Sequence, residues 1–271
     1  ARVLAAACML LALGSGLFVA AANAQPGTPL FGLHRAEQWV QVVLASPADK
    51  ARLHLQYAGD ALAALDSAVA RHSGDPAYSG ALDTLRTELA AATSAIAALP
   101  AGQTHDTLAA QLATLQQRAR PDLRAALPSL GWDDRVATTA TLGALGENVP
   151  RVSGAAIHAI AGQDGQTAQG TTHGTRPVQI VVSGSAFAAG ARLVINGQPV
   201  GTVLAVTDGT LVAQVSLDPA AAHIVSIGVE NPDGTAAQTT DVGHGAAVTA
   251  TPLPTATPTH HGGHGGHGGH A

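Results

Sequence analysis

The chain has 271 residues, 46% of them apolar and 11% charged, so it is long enough for one or two modest cores, and it carries a net charge of -5. Lys50 is the one lysine among singly scattered arginines, and only three Phe, two Trp and two Tyr occur, which leaves no basic stripe and no stacking platform for nucleic acid. The single cysteine, Cys8, lies in an apolar leader, so the remainder excludes a disulfide framework, a thiol nucleophile and a cysteine-based zinc site.

That leader follows Arg2, runs without charge over residues 3–22 and meets Ala22-Asn23-Ala24 before Gln25-Pro26. A positive start, an apolar run and a small-x-small site describe a secretory signal over residues 1–24, with cleavage after Ala24. The alternative is an uncleaved membrane anchor, since the run approaches the ~20 residues a bilayer needs. The spacing of Leu33, Ala36, Val40 and Val43, with Trp39 and Leu44 beside them, then predicts a first apolar helix face. Ser46-Pro47-Ala48-Asp49 supplies an N-cap, a proline at the first helical position and an acid three residues after the cap, so a helix is predicted from there to about Arg71. Its seam is Ala51, Leu55, Ala58, Leu62, Leu65 and Val69. Gly74 ends it and Asp75-Pro76 starts the next helix, in which Tyr78, Leu82, Leu85, Leu89, Ala92, Ile96 and Leu99 keep alternating steps up to Pro100. Leu108, Leu112 and Leu115 continue the pattern from Thr104 to about Arg118, and Arg120-Pro121 closes that helix. The stretch from Leu130 to Leu145 reads as only partly helical. Residues 29–146 thus form an antiparallel bundle of about four helices. His54 is expected on the surface, and His72 and His105 at solvated ends.

Pro29-Leu30-Phe31-Gly32-Leu33-His34-Arg35-Ala36-Glu37, followed by Asp49-Lys50-Ala51-Arg52-Leu53-His54-Leu55, resembles a small helical domain of unknown function from bacterial extracytoplasmic proteins, over about residues 28–125. Some relatives carry that domain outside an anti-sigma-factor membrane segment, which implies envelope sensing. His34 departs from the family's usual lysine, and the family transfers no catalytic residue.

Residues 147–175 lose periodicity and gather Gly154, Gly162, Gly165, Gly170 and Gly174, so they read as a disordered linker. From Arg176 the pattern changes to period two: Leu211, Ala213, Val215 and Leu217 alternate with Val212, Gln214 and Ser216, and Val225, Ile227 and Val229 alternate with Ser226 and Gly228. Asn196-Gly197, Asp208-Gly209 and Asn231-Pro232-Asp233-Gly234 are turn signals. About seven strands over residues 176–242 predict a compact sandwich. Ile180 through Gly190, with Phe187 after the first strand, then Val194-Ile195-Asn196-Gly197 and Val229-Glu230-Asn231-Pro232-Asp233-Gly234, resemble the immunoglobulin-like IPT/TIG domain. The resemblance implies a spacer or binding module, with Phe187 in its core. The fold class is therefore an α + β multidomain chain: a helical bundle, then an immunoglobulin-like sandwich, with a disordered linker and tail.

Residues 243–271 form a Thr/Pro stalk, with Pro252, Pro254 and Pro258 among threonines, that ends in His260-His261-Gly-Gly-His264-Gly-Gly-His267-Gly-Gly-His270. Neutral imidazoles between flexible glycine pairs suit Cu(II), Ni(II) or Zn(II), so these five histidines, joined by His244, are the candidate metal ligands. Such binding is lost to protonation below about pH 6.5. No P-loop, H-E-x-x-H or G-x-S-x-G element follows the leader. Asp133-Asp134 beside Trp132 reads as the acidic first turn of a short helix rather than a glycosidase pair. The sequence reading is a non-enzymatic secreted or surface scaffold with no required cofactor, facing a protein or cell-envelope polymer and touching membrane only if the leader stays. The alternatives are an envelope metal binder acting through its tail and a sensory domain.

Overall fold

The computed structural model describes Val42 and residues 45–71, 76–161, 176–217 and 224–249. The leader, the first predicted helix apart from Val42, His72 and the histidine tail lie outside these residues. The chain is α + β: among the described residues four α-helices precede nine strands in two sheets. No helix among the described residues is long and apolar enough to cross a membrane.

Helix α1 spans Pro47–Arg71 and begins where the capping signal places it. The Asp49 amide donates to Ser46 Oγ at 3.3 Å, and the Ser46 hydroxyl donates back to the Asp49 carboxylate at 2.7 Å, so one of the orphan amides of the first turn is satisfied locally. Helix α2 spans Pro76–Ala97 and buries Tyr78, Ala81, Leu82, Leu85, Leu89, Ala92 and Ile96 against Ala51, Ala58, Ala61, Leu62, Leu65 and Ala68 of α1. Leu55 and Val69 of the expected seam are only partly buried, because a straight helix drifts from a strict seven-residue repeat.

Helix α3 spans Gln103–Ala126 and does not close at Arg120-Pro121; Pro121 sits inside it. An interior proline costs about 3 kcal/mol. Continuing the helix buries Leu123, Ala126 and Leu127, and a fully buried leucine is worth about 1.5–3 kcal/mol, so burial outweighs the lost hydrogen bond. After a turn of 3-10 helix at Leu127–Ser129, helix α4 runs over Trp132–Ala144, regular where the sequence suggested partial helix. Its end is a Schellman motif: Glu147 N–H donates to the Leu142 carbonyl and Gly146 N–H to that of Gly143, with Gly146 at φ +87°.

The linker reading of 147–175 is corrected at its start. Strand β1 spans Arg151–Ala161, pairs antiparallel with β2 (Arg176–Ser185) and parallel with β9 (Val242–Thr249). The other strands are β3 (Arg192–Ile195), β4 (Gln198–Pro199), β5 (Thr202–Val206), β6 (Thr210–Leu217), β7 (Ile227–Glu230) and β8 (Ala236–Thr239). They form a five-stranded sheet, β5-β6-β2-β1-β9, and a four-stranded sheet, β4-β3-β7-β8. Ala155, Ile180, Val182, Leu211 and Ala213 of the first sheet share one core with Leu193, Ile195, Ile227 and Val229 of the second, and Phe187 lies in it. Among the described residues the β unit therefore runs from Arg151 to Thr249, so the stalk reading of 243–249 is also corrected.

Candidate functional site

Helix α4 has sheet on one side and helices on the other, and the residues it presents to each make the best-defined polar constellation among the described residues. Toward the helices, Thr138 Oγ1 lies 2.8 Å from the Tyr78 hydroxyl of α2 in a buried contact. Burial pushes the Tyr78 hydroxyl up to about 12, so it acts there as a neutral hydrogen-bonding group. Toward the sheet, Thr139 Oγ1 accepts the Ala236 amide of β8 at 3.0 Å, satisfying an edge N–H that no strand takes.

Trp132 opens α4, and its Nε1–H donates to Gln238 Oε1 of β8 at 2.7 Å. Its ring lies across two glycines. A methyl group on Gly228 of β7 would come within 2.6 Å of the ring, and one on Gly197 within 3.4 Å. Glycine at 228 is thus a requirement of close approach, the usual meaning of glycine inside a strand. One turn along, Arg135 donates to the Glu230 carboxylate of β7 and, at 3.0 Å, to the Leu130 carbonyl. Arg124 of α3 donates to Glu147 and lies 3.6 Å from Asp233 in the β7–β8 turn. The hydrogen bond to Glu147, and then the two carboxylate charges, hold its guanidinium more firmly in the charged form. Arg120 donates to the Leu145 carbonyl at the end of α4, where a cation suits the helix dipole.

The other sites considered in the sequence are dispersed. His54 is not a free surface histidine: its Nδ1 sits 2.7 Å from Glu88 Oε2 of α2, in a part-buried pair. His105 contacts Asp106 at 3.0 Å near the start of α3, close to the solvated end expected. Asp133 and Asp134 occupy the first turn of α4. Burial, and secondarily the charge of Asp133, raises Asp134 above the ordinary carboxylate value. His244 is in β9, in register with Ile157 of β1, so it belongs to the sheet rather than the stalk. His260, His261, His264, His267 and His270 lie outside the described residues. Among the described residues no group of three or more metal-ligating side chains occurs.

Shallow clefts mark the surface of the described residues. One of about 430 Å³ lies between α2, α3 and α4, near Arg86 and Gln116. A second of about 420 Å³ lies between α4 and β8, near Val136, Arg151 and Gln238, and a third of about 580 Å³ flanks β5. None is lined by a histidine, cysteine or carboxylate, so none gathers a nucleophile with a base.

No protein-family model and no curated protein matches the chain. A crystal structure of the S-layer protein rSbsC(31-844) aligns with 75% of this chain and 33% of its own length, at 11% identity and a TM-score of 0.22. The chain thus spans about a third of that protein, and the overlap is too low to support a fold or a function.

Sequence reasoning missed the junction. In the sequence Trp132 stands out only as a neighbour of the Asp133-Asp134 pair. The available signal was Gly228 between Ile227 and Val229, a strand glycine that announces a bulky visitor.

Proposed function

We propose that the protein is a non-enzymatic scaffold of the cell exterior, in which a helical bundle and an immunoglobulin-like sandwich are presented as one rigid unit to a protein or envelope polymer. The observation that carries this reading is α4, which has buried threonines on opposite partners, Thr138 on Tyr78 and Thr139 on Ala236. Two flexibly joined modules have no need of such a bridge, whereas a presenting scaffold gains fixed geometry from it. The immunoglobulin-like reading is supported by two sheets sharing one core and by the Asn231 turn, whose side chain accepts the Ala188 amide and donates to the Ala186 carbonyl on either side of Phe187. Export is supported by the leader. Two measurements test the proposal. The protein recovered from the medium is expected to have the mass of a chain cleaved after Ala24, and the purified chain is expected to co-sediment with isolated cell envelope. A chain retained in the cytoplasm and indifferent to envelope overturns it.

The tail supports a second reading, exchangeable binding of Cu(II), Ni(II) or Zn(II) by His260, His261, His264, His267 and His270. It is favoured by the pattern itself, imidazoles spaced by glycine pairs from His261 to His270. Calorimetric titration is expected to show Cu(II) uptake by the full chain and its loss in a chain ending at Thr259. Equal binding by both removes the tail from the account.

A further inference from the structure

The cleft of about 420 Å³ where α4 meets the sheets is lined by aliphatic residues apart from two. Val136 and Ala140 of α4, Val149 and Pro150 of the connection to β1, and Ala237 of β8 supply its walls. No aromatic, hydroxyl or carboxylate side chain lines it. The two polar residues are Arg151 of β1 and Gln238 of β8. A concave, mostly apolar surface with a few polar groups, set where two layers meet, is the usual form of a small-molecule site.

The polar side-chain groups free to bond there are donors. The Arg151 guanidinium lies beside Gly143 of α4, its Nη2 3.8 Å from where a methyl group on that glycine would stand. The other arginines around α4 are committed: Arg135 to Glu230, Arg124 to Glu147 and Asp233, and Arg120 to the Leu145 carbonyl. The Arg151 side chain has no such partner among the described residues. Gln238 Oε1 already accepts the Trp132 Nε1–H, which leaves the Gln238 Nε2 amine to donate. The Ala236 amide turns away from β7 to Thr139, so alternation turns the Gln238 amide the same way, and no described strand takes it. A guanidinium and amide donors without acceptors select an anion, and the planar guanidinium suits a carboxylate held at both oxygens. One cation balances one negative charge, and the aliphatic walls would desolvate a second at a cost nothing there offsets.

We propose that this cleft binds a small aliphatic monocarboxylate, with the carboxylate on Arg151 and Gln238 and the hydrocarbon against Val136, Ala140, Val149 and Pro150. Such a ligand touches α4, β1 and β8 at once. Its binding and the docking of α4 therefore stabilise each other.

Heteronuclear NMR of the intact chain with octanoate as the probe tests this. Saturable shifts are expected at the Gln238 carboxamide and the Arg151 Nε–H, with a Kd of about 1 mM or tighter for a ligand of this size. Octylammonium has the same chain and the opposite charge, and it is expected to bind at least about tenfold more weakly. Arg151→Gln, at an exposed position, should weaken octanoate by about tenfold. Ala140→Leu, also at an exposed position, fills the cleft and should remove the saturable shifts. The unmodified chain carries the first two measurements, so a variant that fails to fold leaves the test decisive. N-acetyl-leucine in parallel separates two sources of the same chemistry: tighter binding than octanoate assigns the site to a peptide terminus, and weaker binding assigns it to a fatty acid. Octanoate that moves neither Gln238 nor Arg151 at several times the expected Kd overturns the proposal, as does equal binding of octylammonium or an unchanged Kd in Arg151→Gln.

Discussion

In the helical layer Ala51, Ala58, Ala61, Ala68, Ala81 and Ala92 are buried between leucines, so α1 and α2 meet through small side chains with few polar bonds between them. In the sheet layer the core is Ile, Val and Leu, and the irregular segments are fixed by side chains that bond backbone. Asn196 Oδ1 accepts the Val225 and Ser226 amides at 2.8 and 3.0 Å, and Asn231 holds three partners at once. Helices satisfy their own backbone and need only an apolar stripe, whereas a two-sheet unit must find partners for each turn it makes. Substitutions should therefore act differently in the two layers, and most strongly where one layer meets the other.

The largest effect is expected at that meeting. Trp132→Ala removes the ring that lies across Gly197 and Gly228 together with the bond to Gln238. Large-to-small changes of tryptophan cost about 3–5 kcal/mol when fully buried, and the partial exposure of this ring places the expected loss near 3. Scanning calorimetry should show one cooperative transition for the intact chain and two for the variant, as the layers unfold independently. A single unshifted transition would show that Arg135, Arg124 and the α4 threonines suffice for the coupling.

Within the sheet layer Asn231→Ala is expected to cost about 2 kcal/mol, because it leaves the Ala188 amide and the Ala186 carbonyl without their partner. Asn231→Asp keeps an acceptor for Ala188 but loses the donor to Ala186, so its loss should be intermediate. Denaturant titration followed in the Trp132→Ala background assigns the effect to one layer. If the helical transition moves as well, the two layers are not separable units.

The helices were legible because their signals are local: Ser46 to Asp49 set a cap, and the apolar steps of α2 lie within a single element. Pro121 misled because the burial that carries α3 past it comes from residues distant in the chain. The same holds for β1. Its Ala155 and Ile157 alternate only weakly between glycines, and its partners, Val182 and Ile180 on one side and residues of β9 on the other, are supplied by the fold. The tail histidines stood out by composition, which carries no information about geometry. Apart from Gly228 the junction left no local trace, since Trp132 is 106 residues from Gln238 and Arg135 is 95 from Glu230, and these pairs meet only once α4 docks.

The smallest expected effect concerns two acids in equivalent places, the first turns of α1 and α4. Asp49 is held below the ordinary carboxylate value, first by the Ser46 hydrogen bond and then by Arg52. Its contribution is present above that value and is lost as pH falls through the lowered one. Asp134 is raised above 3.8, first by burial and then by Asp133. The folded state therefore disfavours its ionised form. This penalty is fully present above the raised value and disappears below the unfolded one. Asp134→Asn should accordingly increase stability at neutral pH by a fraction of a kcal/mol after screening, with no gain in acid. Asp49→Asn should do the reverse. Chemical denaturation of both variants across the carboxylate range reads the two signs directly. If Asp134→Asn instead destabilises at neutral pH, the attraction of the α4 dipole for an acid exceeds the cost of burying it against the sheet layer.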